Sequence, residues 1–324
     1  MAETPLILTE AELGRPTAFQ RDVVQPRTVA GRQLTAIWSA LRPSQWVKNL
    51  FLLAPVFFSQ NFLTPHALWR SVLALGLFCL ASSSVYLLND LCDLAQDRRH
   101  PAKRLRALAS GALEPWVAKL AVGVLLAAVM AGSLALSKAF ASVIGIYWGV
   151  NVLYSFHVKR VVILDVFAIA AGYLLRVIGG AVVIGVHMST WLLICTILVA
   201  LFMALCKRRH EIVLLDQTAR EHRQVLSEYP LPFLDMMIGA ITAAALVSYS
   251  LYTVSDEIVQ RFRWPGLLLT VPFVFYGFFR YLYLVYRKEE GGDPAQSVLM
   301  DRSMMVNLAL WVLTAGLIIY WNRS

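Results

Sequence analysis

The chain has 324 residues, of which 58% are apolar and 15% are Asp, Glu, Lys or Arg, and its mean hydropathy is +0.63. Soluble globular chains average about 45–50% apolar and about 25% charged, so a soluble enzyme, a disulfide scaffold and a disordered chain are excluded, and a polytopic membrane protein is expected. The net charge of +9 is informative through its location, and no nucleic-acid partner is expected from it.

Residues 1–36 are polar, carry Pro5, Pro16 and Pro26, and lack the short apolar core of a signal peptide. They are read as a loosely ordered cytosolic arm, with residues 37–324 forming the membrane domain. Long uncharged or nearly uncharged stretches follow at 49–69, 71–88, 120–137, 139–156, 166–186, 188–206, 236–255, 264–279 and 303–322. Helices of this length cross a hydrocarbon core about 30 Å thick. The runs are continuously apolar, whereas a membrane barrel needs alternation. The expected fold is therefore all-α, a nine-helix membrane bundle. The four cysteines, Cys79, Cys92, Cys195 and Cys206, form no CxxC or Cys/His cluster, so neither a thiolate metal site nor a disulfide framework is indicated.

Lys and Arg placement sets the expected orientation. The arm up to Lys48 and the four even-numbered loops hold 21 of them, while the opposite side holds five: Arg70, Lys138, Arg261, Arg263 and Arg323. The N-terminus and those loops are expected on the cytoplasmic face of the cell membrane.

The segment with most chemical content follows the second stretch. Asn89-Asp90-x-x-Asp93-x-x-x-Asp97 places three carboxylates three and four residues apart, on one face of a helix. Such a cluster repels itself unless a cation lies among it. All-oxygen ligands at a membrane surface suit Mg²⁺, which takes one or two carboxylates plus substrate phosphates. A polar loop whose acids pair with neighbouring arginines is the plainer alternative. Acids that directly continue a membrane span need a reason to be there, which favours the metal. Lys103, Arg104 and Arg106 follow at once, and cations beside a carboxylate-bound metal suit a diphosphate. They also suit simple anchoring to membrane lipid head groups; the two roles are compatible.

These residues resemble the UbiA-type prenyltransferase superfamily. Further details resemble its polyprenyl-phosphate phosphoribosyltransferase branch: Arg42-Pro43-x-Gln45-Trp46-x-Lys48-Asn49, His100-Pro101-x-Lys103-x-x-Arg106 with Ala109-Ser110-Gly111, and Tyr154-Ser155-x-x-x-Lys159 with Asp165. Leu175-Arg176, Lys207-Arg208-Arg209-x-Glu211 and Gly292-Asp293-Pro294 complete the pattern. The similarity runs from about residue 41 to the C-terminus. Ala107 departs from it, because the family usually has Pro after that arginine; a change of loop backbone rather than of chemistry is expected.

The resemblance implies a UbiA-like bundle of nine helices. It also implies transfer of 5-phosphoribose from phosphoribosyl diphosphate to a polyprenyl (decaprenyl) phosphate, with Mg²⁺, supplying arabinose for cell-envelope polysaccharide. On that reading Asp90, Asp93 and Asp97 hold the metal, and Lys103 and Arg106 neutralise the leaving group. Lys48, Asn89, His100, Lys159, Asp165, Arg176, Lys207, Arg208, Asp293 and Asp301 contact substrate. Arg176 has a second reading, as the partner of Asp165 eleven residues earlier; Asp293 and Asp301 are read evenly as a second metal contact or a ribose hydroxyl contact, or as partners of Arg302. Homo-oligomerisation is left open.

Two alternatives are weighed. An aromatic prenyltransferase of the same superfamily typically carries a second Asp-rich motif, and the later loops offer cations and scattered acids instead. An ion-coupled transporter places its site near the midplane on broken, repeated helices, and here the charges gather at one face.

Overall fold

The computed structural model describes residues 29–99, 103–215, 228–262, 266–287 and 294–321, and among them every regular element is helical. Helix α1 (Val29–Leu41) takes up the end of the stretch read as a loose arm. Its Ala36 and Ala40 pack against Leu87, Leu108 and Leu113, while Leu34 and Trp38 are exposed on its other side. The first 28 residues lie outside the described part.

Eight described helices are long and apolar enough to cross a membrane, and the chain is a multi-pass membrane protein. They are α3 (Pro65–Cys92), α5 (Pro115–Leu136), α6 (Lys138–Phe156), α7 (Leu164–Ile184), α8 (Thr190–Leu215), α9 (Leu231–Val254), α11 (Val271–Arg287, entered through a 3₁₀ turn, Gly266–Thr270) and α13 (Arg302–Trp321). Local chemistry sets their ends. Proline opens α3 and α5, where its missing N–H is no loss. The Ser137 hydroxyl caps α6 by accepting the Phe140 N–H. A left-handed Gly185 stops α7. The remaining short helices are α2 (Ala54–Phe58), α4 (Leu94–Asp97), α10 (Asp256–Phe262) and α12 (Pro294–Met300).

The first of the nine expected spans takes another form. Residues Pro43–Leu53 make a 3₁₀ helix of 11 residues that passes into the five-residue α2. At roughly 2.0 Å per 3₁₀ residue and 1.5 Å per α residue, the composite reaches about 30 Å, so a shorter run of chain does the work of a full span. The chain then turns at 61–64 and α3 starts at Pro65, four residues before the first apolar stretch was expected to end.

The 3₁₀ segment lies against α3 and α7. Trp46 donates its indole N–H to Ser83 at 2.9 Å, and the Asn49 amide donates to Ser82 at 3.1 Å and to the Cys79 sulfur at 3.3 Å. Leu52 is fully buried. Gly180 of α7 makes the approach possible, because a Cβ there would lie 1.9 Å from the Leu52 carbonyl oxygen. One apolar core joins α3, α6 and α7 through Phe78, Phe140, Tyr147 and Leu175. Another joins α8, α9, α11 and α13 through Phe202, Leu205, Leu234, Tyr281 and Met304. At the end of the bundle away from the acidic motif, Arg70 donates to the carbonyls of Val183 and Leu136, 2.8 Å each, and ties the last turns of α7 and α5 together.

Candidate active site

The acidic motif sits where α3 ends. Asp90 is in its last turn, Asp93 breaks the helix with φ −96° and ψ 6°, and Asp97 closes the one-turn α4. The Asp93 carbonyl accepts the Asp97 N–H at 2.8 Å, which stacks the two acids one turn apart. Asp90 and Asp97 are both buried, each 3% exposed, so each needs a counter-charge.

Cations supply it. Arg106 Nη1 lies 3.0 Å from Asp90 and 2.6 Å from Asp97. Arg42 Nη2 meets Asp90 at 2.5 Å, with its guanidinium 5.3 Å from the centre of the Tyr86 ring. Lys159 meets Asp93 at 2.5 Å. Three acids thus face three cations drawn from three separate stretches of chain. Lys103 opens the 3₁₀ turn Lys103–Leu105, and its carbonyl accepts the Arg106 N–H at 3.0 Å.

Among the described residues, no three acid, His or Cys side chains are assembled as a metal cage. The donors nevertheless fit Mg²⁺. Two carboxylates already converge on one positive nitrogen, that of Arg106, and the side-chain oxygen of Asn89, the residue before Asp90, is buried without a hydrogen-bond partner. A buried acceptor without a donor is uncommon and calls for a ligand or ion. Carboxylate and amide oxygens are the ligand type this hard cation takes.

A second polar cluster lies across the same end of the bundle, at the end of α8. Arg208 is 1% exposed. Its Nε donates to Asp165 at 2.6 Å, its Nη1 to Glu211 at 2.5 Å and its Nη2 to the Tyr154 hydroxyl at 3.2 Å. The Tyr229 hydroxyl donates to the other Asp165 oxygen at 2.8 Å and accepts the Ile163 N–H at 2.5 Å. Burial, together with the Asp165 carboxylate, pushes the Tyr229 phenol above its ordinary pKa, so it stays a protonated donor. Lys207 lies 3.9 Å from Glu211. Lys48 donates to Gln45.

Of the expected site residues, the structure brings Asp90, Asp97 and Arg106 together and joins Asp93 to Lys159. Arg208 and Asp165 belong to one buried pair. Arg176 does not pair with Asp165: eleven residues of helix separate them by about 16 Å, beyond the reach of both side chains. It is 5% exposed and donates to Asn49 at 2.7 Å, to the Gly172 carbonyl at 2.7 Å and to the Tyr147 hydroxyl at 3.2 Å. The rings of Phe78, Tyr147 and Tyr173 surround it at 5.0–5.4 Å. Every guanidinium nitrogen is engaged inside the bundle, which makes Arg176 a tie between α7, α6 and the 3₁₀ segment. Asp301 pairs with Arg280 at 2.7 Å rather than with Arg302, and accepts the Met304 N–H at 2.9 Å as the cap of α13. His100 and Asp293 lie outside the described residues.

Comparison with known proteins agrees with this architecture. Residues 50–308 match the UbiA prenyltransferase family. The chain belongs to that family. It is 30% identical over 304 residues to a decaprenyl-phosphate phosphoribosyltransferase of Mycolicibacterium smegmatis, covering 89% of this chain and 94% of the relative. It is 32% identical to the protein of the same name from Corynebacterium glutamicum, over 87% of this chain and 86% of the relative. A UbiA homolog from Archaeoglobus fulgidus, solved with DMAPP and Mg²⁺, superposes with a TM-score of 0.66 over 88% of this chain and 99% of its own, at 17% identity. That last likeness speaks for the UbiA fold alone.

Within this UbiA chain, the sequence motifs included Arg42, Tyr154 and Glu211 without giving them a role, and Tyr229 was missed altogether. Arg42 carried a signal, being a charge at the mouth of the first span beside Pro43. Tyr229 carried none, since a lone tyrosine before a helix is ordinary.

Proposed function

We propose that this protein transfers 5-phosphoribose from phosphoribosyl diphosphate to a polyprenyl phosphate at the cytoplasmic face of the cell membrane. The observation that carries the reading is the charge pattern of the polar end. Among the described residues the acidic motif is met by Arg42, Arg106 and Lys159, and Lys48 and Lys207 add further cations in sequence stretches where no second closely spaced pair of aspartates is found. Two substrates presenting a diphosphate, a 5-phosphate and a lipid phosphate need more cations than a single prenyl diphosphate does. The names of the relatives at 30–32% identity support the same donor and acceptor.

Asp90, Asp93 and Asp97, with Asn89, would hold Mg²⁺, which when bound supplies Lewis-acid neutralisation of the diphosphate. Arg42 and Arg106 leave the acids to grip diphosphate oxygens as the donor enters. Lys159 stays within reach of the same group, and Lys48 and Lys207 hold the remaining phosphates. The C1–O bond to diphosphate breaks, and positive charge grows on the ribose ring beside fixed carboxylates. A lipid phosphate oxygen then closes a new bond to C1. That oxygen is already an anion near neutral pH, so no histidine or cysteine base is required. The products are diphosphate and polyprenylphosphoryl 5-phosphoribose, a lipid-borne pentose suited to cell-envelope arabinan supply. The 21-to-five distribution of Lys and Arg supports the cytoplasmic placement of this end.

The test is a donor comparison on purified protein with Mg²⁺. Labelled phosphoribosyl diphosphate and decaprenyl phosphate go in one tube, and labelled prenyl diphosphate and 4-hydroxybenzoate in another. A labelled lipid from the first tube alone, lost with EDTA, is the expected result. Prenylated arene from the second alone would overturn it.

A further inference from the structure

The loop between the 3₁₀ turn Val158–Arg160 and α7 holds an unusual backbone. Ile163 has φ 70° and ψ −48°, and the Leu164 N–H donates to the Val162 carbonyl at 2.8 Å. This is a γ-turn of the positive-φ kind, which is rare and strained, and a β-branched residue is the least suited to it. The Ile163 side chain is 38% exposed, so packing of that side chain does not hold the turn. Strain of this kind persists where the surroundings over-determine it. Here the Tyr229 hydroxyl accepts the Ile163 N–H and donates to Asp165, whose second oxygen is fixed by Arg208. The Tyr229 ring belongs to the core that includes Val166, Phe202, Leu205 and Leu234. Four residues before Ile163, Lys159 reaches Asp93 of the acidic motif.

We propose that Tyr229 is a positioning residue of the transfer reaction: its hydroxyl holds Ile163 in the strained turn, and the turn sets where Lys159 stands against Asp93. Tyr229 precedes α9, touches none of the acidic motif, and acts through the loop that does. The proposal rests on the function given above, in which Lys159 and Asp93 attend the donor diphosphate.

The test uses the full chain in lipid nanodiscs and reads three quantities. They are kcat/KM for the donor, the thermal midpoint, and the yield of the zero-length carbodiimide cross-link between the Lys159 amine and the Asp93 carboxylate, read by mass spectrometry. Those two groups are in direct contact, so the yield reports how Lys159 stands against Asp93. Tyr229→Phe is expected to lower kcat/KM roughly 10-fold or more, the scale seen for outer partners of a site, and to lower the cross-link yield as Lys159 moves away. Adding Ile163→Gly, a residue that enters positive φ freely, is expected to restore both while the thermal midpoint stays at the Tyr229→Phe value. A purely structural role for Tyr229 predicts no such rescue, so failure of the glycine to restore either quantity overturns the proposal, as does unchanged behaviour of Tyr229→Phe. Should Tyr229→Phe fail to insert, Ile163→Pro takes its place, because proline fixes φ at about −65°; wild-type rates in that variant overturn the proposal. Should the wild-type protein transfer no phosphoribose, the functional reading fails separately. The Lys159–Asp93 cross-link series then decides the clamp, with rescue supporting it and absence of rescue refuting it.

Discussion

Arg42 and Asp90 lie 48 residues apart in the chain and meet at 2.5 Å where the first span enters the bundle. The arginine is held there by a left-handed backbone, φ 52° and ψ 61°, between α1 and the 3₁₀ helix. Its charge competes for the carboxylate that a metal would use. Mg²⁺ alone is therefore expected to bind weakly, and more tightly once a diphosphate draws Arg42 and Arg106 away. Arg42→Gln should strengthen binding of Mg²⁺ alone while raising KM for the donor. Metal titrations followed by tryptophan fluorescence, with and without the donor, check both signs; weaker metal binding in Arg42→Gln would refute the competition.

Asp90→Asn keeps the shape of the side chain and removes its charge. Activity is expected to fall by more than the roughly 10–100-fold typical of a metal's outer partners, with membrane insertion unchanged. Chelation with EDTA should abolish transfer reversibly and leave the thermal midpoint nearly in place, since Arg106 and Arg42 already neutralise the buried acids. Loss of the folded bundle on chelation would assign the metal a structural part instead.

Arg208→Ala removes the buried guanidinium that Asp165, Glu211 and Tyr154 share. Breaking such a pair costs about 3–5 kcal/mol. Unfolding in mixed micelles measures it, and a loss of activity at full stability would show that Arg208 serves the substrate directly.

Gly180→Ala places a methyl group on the Leu52 carbonyl. Overpacking costs about 1–3 kcal/mol, and here the backbone that must yield carries Lys48 and Asn49. Lower stability together with a raised KM is expected; stability loss with KM unchanged would separate the 3₁₀ segment from substrate binding.

Much of this architecture is legible in the sequence because membrane helices announce themselves by uninterrupted apolar length. Eight of the nine expected passes follow long helices of that kind. The acidic motif is legible for a related reason: carboxylates continuing a span are rare enough to be noticed. Pairing is where one-dimensional reading stops. Asp165 seemed a partner for Arg176 because both lie on α7, yet it meets Arg208 from α8. Nothing local in either residue encodes that choice, which depends on how two helices pack. Arg176 likewise reads as a charge in search of an anion, and its aromatic enclosure exists only once α3, α6 and α7 are together.

The 3₁₀ form of the first span has a consequence for how that stretch can change. Three residues make one turn, so residues three apart lie one above another. Trp46, Asn49 and Leu52 form such a column against α3 and α7. Removing or adding one residue there rotates everything beyond it by a third of a turn and swings Lys48 or Asn49 off the bundle. Loss of three residues would keep the column aligned and shorten the pass by about 6 Å. Length variation in this stretch should therefore be tolerated, if at all, in steps of three, unlike the three-or-four rhythm that governs the eight helices around it.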